Sequence, residues 1–230
     1  MISVKALDAM RQITTELEDL FALLQPVASG FARVAGLGRP VREDLIDLRG
    51  AISDVVERPG PIAGAGVIVA PGILVDSPYW MEWWWAVPHR DPEALRVNVE
   101  PTAPDFFDYT SADWYAIPER TGTRYVAGPY VDYVCRTEYA ITLARPVRAA
   151  GAFVGVAALD IAASRFERRV LPVLSSLPNA VTLVNAAGRV IVSTAPTVWP
   201  GERVPASAGE PLGEASVFGW QLIGSPDVGE

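Results

Sequence analysis

Apolar residues recur in steps of three and four at Val4, Leu7, Met10, Ile13, Leu17, Leu20, Phe21 and Leu24, which makes one helical stripe. Thr14, Glu16, Glu18 and Asp19 fall on the other side, and Pro26 with the small residues after it predicts the helix end. Residues 36–40 read as a loop, and a second helix follows with Val41, Leu45, Leu48, Ile52 and Val55 inward, ended by Pro59-Gly60-Pro61. The period then changes to two. Gly66-Val67-Ile68-Val69-Ala70, a Pro71-Gly72 turn and Ile73-Leu74-Val75 predict a hairpin. In Tyr79-Trp80-Met81-Glu82-Trp83-Trp84-Trp85, alternation sends Trp83 and Trp85 to one face and Glu82 and Trp84 to the other. These tryptophans are either core or the wall of a ligand pocket.

Residues 105–122 read as a short helix or turn, and strands are expected at about 124–134, 137–145 and 151–159, the second of them turning at Pro146. A helix over 162–174 carries Arg165, Glu167, Arg168 and Arg169 on its wet side. Residues 181–185 and 189–193 form a second hairpin around Ala186-Ala187-Gly188; 196–213 is a loop, and 217–224 a last strand.

Charge and composition narrow the function. A net charge of −8 and a pI near 4.8 argue against a phosphate-backbone partner, and no cationic cluster suggests a membrane surface. The chain has no apolar run of a transmembrane helix's length and no secretory-type start, and its one cysteine, Cys135, excludes an internal disulfide, so a soluble cytoplasmic protein is expected. There is no Gly-x-Ser-x-Gly elbow and no Walker loop. With one cysteine and one histidine (His89, in turn-forming surroundings), metal sites built on those residues are excluded. Several carboxylates are present, but no spacing singles out an acid–base pair. The expectation is a protein without catalysis, cofactor or metal.

Three short stretches carry the candidate chemistry: Asp113-Trp114-Tyr115, Gly128-Pro129-Tyr130-Val131-Asp132, and the apolar run that closes on Asp160. An alkylammonium ion wants two or three acceptors and an aromatic face. Tyr130, Asp132 and Asp160 can supply the acceptors, and Trp114 with Tyr115 the face; Tyr139 is a further aromatic candidate. Two carboxylates near one site repel, so one of them should have a raised pKa until a cation joins them. Structural readings compete with this one. Asp160 could cap a helix beginning at Ile161, Trp114 and Tyr115 could be core, and Asp132 could pair with Arg124, Arg136 or Arg145.

Over roughly residues 60 to 195 the order of elements resembles the Cache family of extracytoplasmic-type sensor domains. The resemblance is carried by those three stretches, by Ile141-Thr142-Leu143-Ala144-Arg145-Pro146-Val147, and by the glycine-containing strand that ends in Asp160-Ile161. It implies an α+β fold, a PAS-like antiparallel sheet behind N-terminal helices. It also implies a partial second module, opened by Asn185-Ala186-Ala187-Gly188-Arg189-Val190-Ile191. Amino-acid-sensing members of that family have an Arg two residues before Trp-Tyr, then Tyr-x-Asp, then the final Asp. Trp114, Tyr115, Tyr130, Asp132 and Asp160 are similar to that pattern, but Ala112 stands at the Arg position, and Phe106 or Phe107 replaces an upstream Tyr. The resemblance therefore implies an amine pocket whose carboxylate-holding half is missing.

The expected organisation is a helical segment over 1–59, a sensor module over 60–178, and a C-terminal hairpin with an incomplete second module over 179–230. The expected function is a sensor binding a small amine or related cationic metabolite. The alternatives are an amino-acid or carboxylate ligand held by Arg120, Arg124 or Arg136, and a protein that dimerises through its first helix over a vestigial pocket, with or without a separate regulator as partner. A hydrolase using a carboxylate pair is the remaining rival.

Overall fold

The structure, a computed structural model, describes residues 4–87, 89–131, 139–205, 209–213 and 218–224. Helix α1 spans Val4–Ala35, 32 residues, and so runs on for nine beyond Pro26. An interior proline removes one hydrogen bond and costs ~3 kcal/mol. Here the stripe simply continues: Val27, Phe31 and Val34 are buried, and each contributes roughly 1.5–3 kcal/mol of apolar burial. The helix therefore survives its proline, which faces solvent. A 3-10 segment, Arg42–Leu48, leads into α2 (Arg49–Val56), with Leu45, Leu48, Ile52 and Val55 inward as the periodicity requires.

The strands are β1 (Ile62–Val69), β2 (Trp80–Trp85), β3 (Glu93–Ala94), β4 (Tyr125–Val131), β5 (Tyr139–Ala149) and β6 (Ala152–Ala162), with a 3-10 turn at Tyr109–Ser111 and helix α3 at Asp113–Thr121 between β3 and β4. They form one antiparallel sheet in the order β3-β2-β1-β6-β5-β4. Two sequence-based boundaries change. Residues 73–75 are not a strand: β1 instead pairs with the tryptophan-rich β2, whose rings have more area to bury, and the segment between them folds as turns. Strand β5 does not stop at Pro146 but continues to Ala149. Its last β4 partner is Ala144, so Pro146 lies where one edge of β5 is already open and a missing N–H is tolerated.

Helix α4 (Ala163–Ser175) follows β6 directly. A second sheet of β7 (Val181–Val184), β8 (Val190–Ser193) and β9 (Gln221–Gly224), ordered β8-β7-β9, completes the described chain and contains the hairpin expected around residues 186–188. Helix α1 lies against β5 and β6, and its apolar stripe packs on Ile141, Leu143, Ala157, Leu159 and Ile161 within this same chain. The same core extends through Phe166 of α4 to Leu183, Ile191 and Trp220, the two rings meeting edge-on at 5.7 Å. The overall design is α+β: helices on one face of an antiparallel PAS-like sheet, α3 and its flanking loops on the other.

Candidate functional site

The face under α3 is built by register. One row across the sheet reads Trp85, Gly64, Asp160, Thr142 and Ala127; the next reads Trp83, Gly66, Ala158, Ala144 and Tyr125. Facing residues of antiparallel strands share a side, so both rows look toward α3. The result is a face of glycine and alanine at its centre, with tryptophans on one side and Tyr125 on the other, over which Tyr109 and Tyr115 close as a buried cluster with Trp83, Ala144 and Ala158. The glycines let the tryptophans lean in. A Cβ built on Gly64 would stand 2.6 Å from Cε3 of Trp85 and 2.8 Å from Nε1 of Trp83, and the two indoles meet at 62° with centroids 5.7 Å apart.

Asp160 is the charged side chain in these two rows and is 5% exposed. Its Oδ1 accepts the Thr142 hydroxyl at 2.5 Å, and the Tyr130 hydroxyl stands 2.7 Å from the same threonine oxygen. A threonine has one proton to donate. Since that proton goes to Asp160, Tyr130 donates to Thr142, and the relay runs Tyr130 to Thr142 to Asp160. The helix-capping reading of Asp160 is set aside by the same geometry. Helix α4 begins at Ala163, its N-cap is Ala162 without a side-chain hydrogen bond, and Asp160 sits inside β6.

Tyr115 is fully buried between Tyr109, Trp114 and Phe153, with centroids at 5.4, 6.5 and 5.7 Å. Its hydroxyl has no partner among the described residues, and burial first, then Glu119 and the phenols of Tyr109 and Tyr79, push its pKa well above the ordinary value. By contrast the Tyr109 hydroxyl is engaged, donating to the Val69 carbonyl at 2.6 Å. Trp114, half-buried, lies edge-on to Tyr115 and lines a cavity of about 300 Å³ together with Tyr125, Tyr130 and, from the second sheet, Asn185, Arg189 and Arg203. Asp160 is not on that cavity wall; it lies behind Tyr130 and Thr142.

Of the residues expected from sequence, Trp114, Tyr115, Tyr130 and Asp160 come together on this face. Asp132 lies outside the described residues, as does Arg136. Tyr139 is a correction. It shares the Ile141 side of β5, away from Thr142, and its ring packs over Gly201, whose Cβ would meet Tyr139 Cε1 at 2.7 Å. The arginines proposed from sequence also point elsewhere. Arg124 pairs with Glu18 of α1 at 2.6 Å over the Phe21 ring, Arg145 bonds Gln25 of α1 at 2.7 Å, and Arg120 is exposed at the end of α3. The sequence left Trp83 and Trp85 as either core or a pocket wall, and the structure buries Trp83 in a cluster with Tyr109 and Tyr115. Thr142, Arg189 and Arg203 were not singled out as binding residues and carried no signal.

No helix among the described residues is long and apolar enough to cross a membrane, and none of their His, Cys, Asp and Glu side chains form a group of three or more placed to hold a metal ion.

Residues 90–168 match the family model of the methyl-accepting chemotaxis protein-like first PDC sensor domain. Curated protein sequences give no match. Solved structures do. The ligand-binding domain of the Campylobacter jejuni chemoreceptor Tlp3 in complex with L-valine aligns with a TM-score of 0.61 at 15% identity over 96% of this chain and 91% of that one. The same domain with L-norvaline aligns at 0.56 and 16%, over 84% and 71%. The extracellular domain of mmHK1S-Z3, a protein assigned as a histidine kinase, gives 0.61 at 12%, over 84% and 69%. These neighbours overturn the cytoplasmic expectation, because the histidine-kinase domains among them are extracellular. Charge and hydropathy could not reveal this, since a water-soluble domain has the same surface on either side of a membrane. The matched segment, 79 of the chain's 230 residues, is similar to that sensor family, and the solved structures show that this chain has a Cache-type, PAS-like fold.

Proposed function

We propose that this chain binds a small amine or a related cationic metabolite in the cavity that Trp114 and Tyr130 line, in front of Asp160, and performs no chemistry on it. The observation that carries this reading is a carboxylate, Asp160, buried on a sheet face otherwise lined by Trp83, Trp85, Trp114, Tyr125 and Tyr130. A cation placed there gains Coulomb attraction at reduced dielectric and the negative faces of the rings. Ala112 at the head of α3 offers no charge to a ligand carboxylate, which favours a guest without one.

A thermal-shift screen of the whole chain tests the proposal. A ligand at a hundred times its Kd adds about 2.7 kcal/mol, or roughly 5–10 °C in Tm for a chain of this size. Simple amines are expected to produce such a shift and free carboxylates none, and Asp160→Asn is expected to abolish the response. Shifts from carboxylates alone would refute it.

A second reading has one observation in its favour. Arg189 and Arg203 line the cavity that Trp114 and Tyr130 share, so an amino acid could place its carboxylate there. The Tlp3 structures hold L-valine and L-norvaline. Under this reading amino acids outperform amines, and Arg203→Gln removes their advantage.

A further inference from the structure

A second cavity, of about 320 Å³, opens where the end of α2 meets the loop after β2 and the first turn of α4, and it shares no wall residue with the cavity at Trp114. Its polar wall is made by Glu57, His89, Arg90 and Arg165. Neither arginine forms an ion pair among the described residues. Asp91 and Glu93, beside Arg90 in sequence, are not on the wall. Arg165 is held by a long hydrogen bond from Nη1 to the Ile62 carbonyl, at 3.4 Å, so most of its N–H donors are uncommitted. The Val87–Arg90 turn, closed by the Arg90 amide on the Val87 carbonyl at 3.2 Å, holds His89 at a φ of 60°, a left-handed position that glycine or asparagine ordinarily takes. Keeping a histidine there has a backbone cost, and costs of that kind cluster at ligand clamps.

Two guanidinium groups on one void repel each other until an anion joins them. The chain carries a net charge of −8, so the cavity is a local reversal of sign and not part of a basic surface. We infer that it is a binding site for a phosphate monoester. A carboxylate brings one charge and two oxygens. A phosphate group brings about two charges and three free oxygens, enough for both guanidinium groups and an imidazole N–H. Val56, Val87 and Pro92 form an apolar wall beside these donors, which the ester's organic group can cover and inorganic phosphate cannot. Glu57 is the one acid on the wall; it opposes the anion and limits its affinity. This site is separate from the amine cavity and stands or falls without it.

Phenyl phosphate, inorganic phosphate and phenol are the probes, titrated into the whole chain by calorimetry. Phenyl phosphate is expected to bind about fivefold tighter than inorganic phosphate, and phenol to give no signal. Arg90→Gln and Arg165→Gln should each weaken phenyl phosphate about tenfold. Arg33→Gln, which removes the same charge from an exposed residue of α1, should leave it unchanged. Glu57→Gln should tighten it about twofold. Equal affinity for the two phosphates, or no binding of either by the unaltered chain, overturns the inference. So does an equal loss in all three arginine variants, because the anion would then be answering to net charge. Should a variant not fold, the unaltered protein still decides the matter. His89 is the chain's single histidine, and its imidazole resonances are expected to move with phenyl phosphate and not with phenol; resonances that stay in place at saturation refute the site.

Discussion

Thr142 holds the candidate site together through a single hydroxyl, which donates to Asp160 and accepts from Tyr130. Thr142→Val keeps the shape and removes both bonds, one from a buried carboxylate and one from a phenol. The expected loss is about 1–3 kcal/mol in chemical denaturation, with Thr142→Ser close to the unaltered chain. Gly64→Ala should act on the tryptophan wall instead. Its methyl would meet Trp85 at 2.6 Å and Trp83 at 2.8 Å, so the indoles must swing away. A loss of about 1–3 kcal/mol is expected, along with a weakened amine response in the thermal-shift screen. On the far side of the molecule, Asp76 receives Arg42 at 2.9 Å, which holds its carboxyl below the ordinary value despite some desolvation. A carboxylate with a depressed folded-state pKa stabilises above its unfolded pKa and loses that contribution as the pH falls through the folded one. The Tm difference between the unaltered chain and Asp76→Asn should therefore be present at neutral pH and shrink below about pH 4. At this scale Trp114, Tyr115, Tyr130 and Asp160 were legible because their residue types and spacing form a pattern. Thr142 was not, because a threonine in a strand is ordinary until the register shows what lies beside it. Tyr139 misled for the same reason: its side of the sheet depends on the alternation of β5.

Helix α1 shows where local rules yield to packing. Pro26 reads as a stop, yet the stripe of Val27, Phe31 and Val34 continues past it into the core. The exposed proline then remains as a local defect in an otherwise regular helix. Pro26→Ala restores a backbone donor and removes a clash without uncovering any apolar surface. It is expected to raise stability by about 1–2 kcal/mol, after allowing for the looser unfolded chain, as a higher Tm in calorimetry. The misread hairpin at 73–75 teaches the same lesson. Isoleucine, leucine and valine suit a strand, but β1 had a larger apolar partner available in β2. Periodicity names the face an element buries; which neighbour covers it is settled by competition for area.

For the molecule as a whole, the contact between the two sheets is the feature that sequence could not place. Asn185 opens the turn between β7 and β8; its Oδ1 accepts the amides of Ala187 and Arg189, and its Nδ2 donates to the Gly128 carbonyl in β4 at 2.7 Å. One side chain thus shapes the turn and fastens it to the edge of the main sheet, beside the cavity that Trp114 and Tyr130 line. Asn185→Ala should cost about 1–3 kcal/mol. Hydrogen exchange should show the loss as faster exchange of the Ala187 and Arg189 amides. The exposed pairs Arg124–Glu18 and Arg169–Glu16, though short, should add little when removed singly. The PAS-like sheet was visible from motif order and strand pattern, whereas the side of the membrane on which such a sheet works is recorded in neither.

The small residues at the centre of the main sheet also set how near the aromatic cluster can come to it. Ala144 and Ala158 are fully buried in that cluster with Tyr109 and Tyr115, so a valine at either would press those rings away from the strands. Helix α3, which carries Tyr115, would shift with them, and the cavity beside Trp114 would change shape through residues that do not line it.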